Sequence, residues 1–295
     1  MPKDSSFKVA YKQEKGPAGL SFADYAFRLE HDYTQLIEAD PSESDVQDFL
    51  EKNPSLVPGA WTPGTHSGHY PLHCALITQP LLPGLRSRRP DFMWIATHSQ
   101  TWFPTLIEIE SPKKRIFLKS GSPTSAFTEA RNQLAQWRTW FNDTANVRQF
   151  TNSYGIPAEY ERFRTRRLHM ILIYGKRTEF ESDPELSKQR ASLLPGHDEE
   201  LMSFDRLAID QSLADAITIR AVGYGRYRVV GLPPVFSTGP LLADRLLYID
   251  GFSDAIAASQ DISKERGVFL QKRVAYWRQW ASDAGSRFIG KHYRE

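Results

Sequence analysis

Arg89-Pro90-Asp91-Phe92-Met93-Trp94-Ile95-Ala96 and, beyond a polar turn at His98-Ser99-Gln100, Thr105-Leu106-Ile107-Glu108-Ile109-Glu110-Ser111-Pro112-Lys113-Lys114 decide the fold of this chain. Each half has the length and apolar content of a β-strand, and the turn between them is of hairpin length. Side chains alternate along a strand, so Glu108 and Glu110 point the same way, together with Leu106. Folding the pair about Ser99 sets Asp91 opposite Ile107, or opposite Glu108 if the register moves by one residue. Either way three carboxylates converge on one patch. The alternative is a plain one, an amphipathic strand whose acids face water beside surface lysines.

Three clustered anions repel unless a positive charge sits among them. A hard divalent cation with oxygen ligands suits them, magnesium first and manganese as a substitute. An Asp followed across a hairpin by Glu-x-Lys or Glu-x-Glu resembles the PD-(D/E)-x-K nuclease superfamily. Pro90-Asp91 matches its first half and Glu108-Ile109-Glu110 its second, with Glu110 standing where the superfamily usually has Lys. Lys113 or Lys114 is the candidate to supply the missing cation, although Pro112 is expected to end the strand before them.

Outward from the hairpin, helices and strands alternate. Tyr25, Leu29, Tyr33 and Leu36 are spaced for a helix over 22–37. A second helix is expected over Glu43–Lys52, with Ser42 as its N-cap and Asn53-Pro54 as its stop. Residues 57–69 are Gly-, Pro- and His-rich loop, 72–78 a strand, and 80–89 a connection. After an irregular stretch at 116–123, a helix over 124–142 shows a wide apolar face including Ala130, Leu134 and Trp137. Residues 143–157 read as a flexible segment and 168–174 as a buried strand. Residues 182–212 read as polar helical structure. Ile217–Val222 and Tyr227–Val230 form a second hairpin about Gly223-Tyr224-Gly225. Helices over 241–259 and 263–284 close the chain. The order gives an α/β fold, a mixed sheet flanked by helices. It divides into an N-terminal helical arm (1–40), a nuclease-like core (41–235) and a C-terminal helical region (236–295).

With 40% apolar and 12% aromatic residues, the chain has enough material for a real core. The net charge of +2 does not announce nucleic-acid binding, but the distribution is uneven. Residues 1–60 hold six Lys/Arg against eleven Asp/Glu, whereas 264–295 hold eight against three. Such asymmetry is compatible with a basic groove. The lone Cys74 cannot pair within the chain. The irregular spacing of His66, His69 and His73 beside it does not suggest ligands. There is no apolar leader, no membrane-length run and no Gly-rich loop for a nucleotide phosphate. These features point to a cytoplasmic protein without a nucleotide cofactor.

Three blocks together resemble the Shedu anti-phage defence family. They are Glu43 to Pro54, Pro90-Asp91 through Glu108-Ile109-Glu110-Ser111-Pro112, and Glu129 to Trp137 with its Ala130-x-x-Gln133. The resemblance implies a PD-(D/E)-x-K, restriction-endonuclease-like core and a metal-dependent endonuclease acting on invading DNA. It implies that Asp91 and Glu108 bind the metal with the Ile109 carbonyl, and that Glu43 approaches from the entry helix. Glu110 would orient or activate water, or ligate a second ion, and Gln133 would brace the site or touch the DNA backbone. A catalytically weak nuclease fold, serving as a binding or assembly module, is the rival reading. Assembly from several copies is also implied. Val268, Phe269, Val274, Trp277 and Trp280 would leave aromatic surface on the last helix, with Lys272, Arg273 and Arg278 lining a shared groove. Simple docking of that helix on its own core is the alternative.

Overall fold

The computed structural model describes residues 12–65, 68–84, 89–193 and 196–284. Two helices lead in. The first, α1 (Phe22–Glu38), is capped by the Ser21 hydroxyl, and α2 (Glu43–Lys52) is held by a full capping box between Ser42 and Asp45. The strand expected over 72–78 is shorter. Leu72–Cys74 forms a tight 3-10 turn in which His73 and Cys74 have φ of 60° and 47°, and β1 spans only Ala75–Thr78. The deciding hairpin is β2 (Phe92–Thr97) and β3 (Thr101–Ile109), and every residue of both strands is buried.

Next come α3 (Ser125–Asn142), α4 (Thr144–Ser153), α5 (Ala158–Phe163), β4 (Thr165–Arg166) and β5 (His169–Ile173). The segment expected to be flexible is therefore largely helical. Asp143 accepts hydrogen bonds from the N–H groups of Ala145 (2.7 Å) and Asn146 (3.2 Å), and Phe150 anchors α4 in the core. The polar stretch after β5 forms α6 (Pro184–Ser192) and then a strand, β6 (Glu199–Met202), where helix was expected throughout. The second hairpin is β7 (Ile217–Gly223) and β8 (Arg226–Gly231). The helix expected over 241–259 is broken. Residues Pro240–Leu247 form 3-10 turns, β9 (Ile249–Asp250) joins the sheet, and Gly251 at φ 87° starts α7 (Phe252–Ala258). The chain continues into α8 (Lys264–Ala284).

The strands form one mixed sheet in the order β6-β5-β3-β2-β1-β7-β8-β9, with β4 beside the start of β3. β3 pairs antiparallel with β2 and parallel with β5, so the hairpin lies at the centre. Alternation along these strands feeds two apolar layers. Met93, Leu106, Met170 and Leu172 face α3, α4 and α8; Phe92, Trp94, Ile107 and Ile171 face α1 and α2. Among the described residues, no helix is long and apolar enough to cross a membrane.

The last helix corrects an expectation. Val274, Trp277 and Trp280 are buried against this chain's own core, and of the five apolar positions Val268 is the exposed one, at 54%. Arg273 is buried and donates to the Lys12 carbonyl (2.6 Å), and Arg278 donates to the Ile249 carbonyl (2.7 Å). The helix therefore docks on its own subunit, and the unburied aromatic surface offered as a reason for assembly is not there.

Candidate active site

The register decides how the acids meet. Phe92 pairs with Ile107, which places Asp91 opposite Glu108, the shifted of the two expected registers. The main chain of Asp91 is fixed on both edges. Its N–H donates to the Ile107 carbonyl (3.0 Å) and its carbonyl accepts from the Gln79 N–H (2.7 Å). Its carboxylate turns along β3 and accepts the Ile109 N–H at 2.8 Å. A strand residue's N–H and C=O leave on the same edge, so the Ile109 carbonyl lies on the Asp91 side of β3.

Glu108 shares the face of Met93 and Leu106 and is 8% exposed. Counted as carboxylates, Asp91 and Glu108 are both acceptors, and Glu108 Oε2 is buried without a partner. Burial drives both carboxyls toward the neutral form. Asp91 is pushed up to about 7 by burial, against the opposing Ile109 hydrogen bond. Glu108 is raised well above the carboxylate range by burial and then by Asp91, Glu110 and Glu43.

Glu110 stands beyond the pair, and Lys114 reaches it. Lys114 folds back because the chain reverses at Ser111–Lys114, where its N–H donates to the Ser111 carbonyl (3.0 Å). Its ammonium hydrogen-bonds the Glu110 carboxylate and lies 4.0 Å from Glu43 Oε2. Lys113, the other candidate, is exposed and sits near Asp45 instead. Glu43 enters from the first turn of α2, which is tied to the end of β3 by the Ser111 hydroxyl donating to the Pro41 carbonyl (2.9 Å). Gln133 is buried in the middle of α3, among Ala130, Leu134 and Trp137 on the layer that also covers Glu108's face.

A second line of residues was not read from the sequence. Gln47 and Glu51 follow Glu43 at helical spacing on α2. The Gln47 amide donates to Thr78 Oγ1 (3.1 Å) and to the Asp91 carbonyl (3.5 Å), and the Thr78 hydroxyl donates to Glu51. The i, i+4, i+8 spacing was the available signal.

His69 pairs its backbone with Thr97, and His73 packs edge-on to Tyr227 and tilted against Tyr248, where burial pushes its imidazole down to about 4. Cys74 is buried, which pushes its thiol up to about 12. His66 lies outside the described residues.

The description of the family model that matches residues 40–208, more than half of the chain, is Shedu protein SduA, C-terminal. The chain belongs to the Shedu family. With that family comes its setting, anti-phage defence. No curated protein matches the chain. The Shedu match runs from just before α2 to just after β6, so it takes in Glu43, Asp91, Glu108, Glu110, Lys114 and Gln133. It leaves out α1, the β7–β8 hairpin and α8.

The acidic patch of this Shedu protein suits a divalent cation in part. Asp91 and Glu108 offer hard oxygen donors, and the orphaned Glu108 Oε2 lacks what an ion would supply. Glu110 and Glu43 are engaged by Lys114. Among the described residues, no three His, Cys, Asp or Glu side chains converge closely enough to form a complete ligand set as they stand.

Proposed function

We propose that this Shedu protein is a magnesium-dependent endonuclease of the PD-(D/E)-x-K type that hydrolyses phosphodiester bonds of invading DNA. One observation carries the reading: two carboxyls, half-buried Asp91 and buried Glu108, face each other across the central hairpin with no basic group between them. Burying two like charges costs several kcal/mol unless a cation compensates, roughly by the same scale as any buried unpaired ion. Carboxyls perturbed by burial and by like charge cluster at functional sites.

Asp91, Glu108 and the Ile109 carbonyl would hold the ion. When bound, it would neutralise charge on the scissile phosphate and lower the pKa of a water. Asp91 is held ready by the Ile109 N–H and by a main chain pinned between β1 and β3. Lys114 takes the part of the Lys missing at 110: its ammonium lies beside Glu110, where it can hold that carboxylate toward a water or contact a phosphate oxygen. Gln133 braces the Glu108 side of the sheet.

Asp91→Asn and Glu108→Gln should each abolish magnesium-dependent cleavage of plasmid DNA, with manganese binding lost in calorimetry. Lys114→Met should lower cleavage about 100-fold or more, on the scale of a removed general acid-base group, while Lys113→Met changes it little. If Asp91→Asn and Glu108→Gln bind manganese and cleave like the parent, the site is wrong. Manganese binding without cleavage by the parent would favour the rival, a binding or assembly module.

A further inference from the structure

The β7–β8 hairpin lies outside the Shedu match, yet it reaches the acidic end of the sheet. β7 runs parallel to β1, with Ile77 beside Ile219, and continues past Thr78, the residue that pairs with Phe92. The hairpin therefore leaves the sheet at the end where Asp91 and Glu108 lie. Two strand spacings separate β7 from β2, about 10 Å.

Its composition is that of a nucleic-acid contact. Along β8, Tyr227 and Val229 point into the layer that also holds Met93 and Leu106, and Arg226, Arg228 and Val230 point to the opposite face of the sheet from Glu108. Arg220 of β7 is exposed and is the cross-strand neighbour of Arg228. Arg226 and Arg228 pair with Asp250 (2.8 Å) and Asp254 (2.9 Å), all four side chains being about half exposed or more. Such surface pairs are weak and exchange readily for phosphate.

Tyr224, at the tip, is 92% exposed, the most exposed large apolar side chain described. It stands between two glycines in a two-residue turn where Tyr224 and Gly225 have φ of 51° and 67°. Such a turn favours Asn or Gly at Tyr224's position, and an aromatic residue there carries backbone strain. The tip is not loose: the Gly225 N–H donates to the Ser153 carbonyl (3.0 Å), and Gly225 packs on Gly155 so closely that neither could carry a Cβ. A rigid turn that spends strain to hold a bare aromatic ring in solvent is a platform for something planar.

On the other flank of the acids, a groove of about 510 Å³ is lined by Lys113, Lys114, Arg115 and Lys176 together with Asp40, Glu179 and Asp183, and Lys176 and Arg115 pair with Asp40 and Glu179. From β5, which leads to Lys176, to β8 there are five neighbour steps, so this groove and the hairpin stand about 24 Å apart. At 3.4 Å per base pair that spans about seven steps of a nucleic-acid backbone, with the acids between the flanks.

We propose that the β7–β8 hairpin is a DNA contact at the acidic end of the sheet, in which Tyr224 stacks on an unpaired base and Arg220, Arg226 and Arg228 take the phosphates of a strand that passes over that end. The proposal rests on the DNA reading above and names the form of DNA: a strand locally unpaired next to the site. Base-on-aromatic stacking with arginine at the backbone is the usual physics of single-strand binding.

Fluorescence anisotropy of the full chain in a chelator, where nothing is cut, tests it. The probes are one DNA as a single strand, as a blunt duplex and as a duplex with a splayed end. Tyr224→Gly should weaken binding to the single strand and the splayed duplex about tenfold or more, with a smaller effect on the blunt duplex. Tyr224→Phe should bind like the parent. Because glycine relieves the turn, Tyr224→Gly should melt no lower than the parent, so a loss of binding cannot come from misfolding. Arg220→Ala should reduce the salt slope of binding by about one. Unchanged binding of all three DNAs by Tyr224→Gly overturns the proposal, as does a parent that binds none of them. A change in oligomeric mass with DNA binding intact would assign the face to a protein partner and overturn it too. If the parent never cleaves but Tyr224→Gly still loses the splayed duplex, the nuclease reading falls and the hairpin contact stands.

Discussion

Asp91 and Glu108 oppose folding as metal-free groups, and pH should expose this. In the unfolded chain Asp91 titrates near its ordinary 3.8, and in the folded chain burial pushes it up to about 7. Between those values the folded chain holds a proton that the unfolded chain has released, so stability falls as pH rises through the window. Glu108, raised in the same direction, adds to the slope. In chelator, unfolding by urea should give a free energy lower at pH 8 than at pH 5, on the order of 2–4 kcal/mol. Asp91→Asn should flatten the difference, and manganese should restore the parent at pH 8. A parent equally stable at both values would mean that the two carboxyls are not forced together. That they would meet was legible in the sequence, because acids at 91, 108 and 110 interrupt two strands that are otherwise apolar. Which register they take was not: one residue separates the two, and it is set by neighbours on both sides of the hairpin.

At the scale of elements, α2 fixes the site as much as the strands do. Its Gln47 ties Thr78 of β1 to the carbonyl of Asp91, and Glu51 accepts from the same threonine. Gln47→Leu keeps the bulk and removes the donor. It should cost about 1–2 kcal/mol, the scale of a buried hydrogen bond with a stranded partner, read as a lower urea midpoint. It should also weaken manganese binding, since Asp91 then loses one of its backbone restraints. A variant as stable as the parent with unchanged manganese affinity would reduce Gln47 to filler. The entry helix itself was legible from Ser42, the apolar stripe and Asn53-Pro54. Other elements were hidden for identifiable reasons. α4 is written in Asn, Thr and Ser, and its cap, Asp143, follows directly on the end of α3. β6 opens with Glu199-Glu200, which reads as solvated surface, and the arginine that pairs with Glu199, Arg138, is 61 residues away. The sequence leaves Lys113 and Lys114 undistinguished because Pro112 ends the strand before both; the tight reversal that returns Lys114 to Glu110 leaves no periodic signal.

The whole molecule is more tightly joined than the family match suggests. Residues 40–208 carry every acid of the site, but their apolar layers are completed from outside that range. α1 contributes Tyr25, Leu29, Tyr33 and Ile37 to one layer. Ile217, Ile219, Tyr227, Leu270 and Trp277 complete the other, and the Tyr227 hydroxyl donates to the Tyr154 carbonyl (2.6 Å) across the seam. A buried side chain of this size contributes about 1.5–3 kcal/mol, so losing the four α1 residues alone removes about 6–12 kcal/mol. A domain's whole stability is about 5–15 kcal/mol. Without β7, β1 would also become an open edge with its hydrogen-bonding groups unpaired. A fragment of residues 40–208 should therefore show no cooperative urea transition and should aggregate at concentrations where the full chain is clear. The full chain should unfold in one step by both circular dichroism and tryptophan fluorescence. A fragment that melts cooperatively on its own would show that the outer elements are additions to a self-sufficient core, and that the acids owe their placement to the central strands alone.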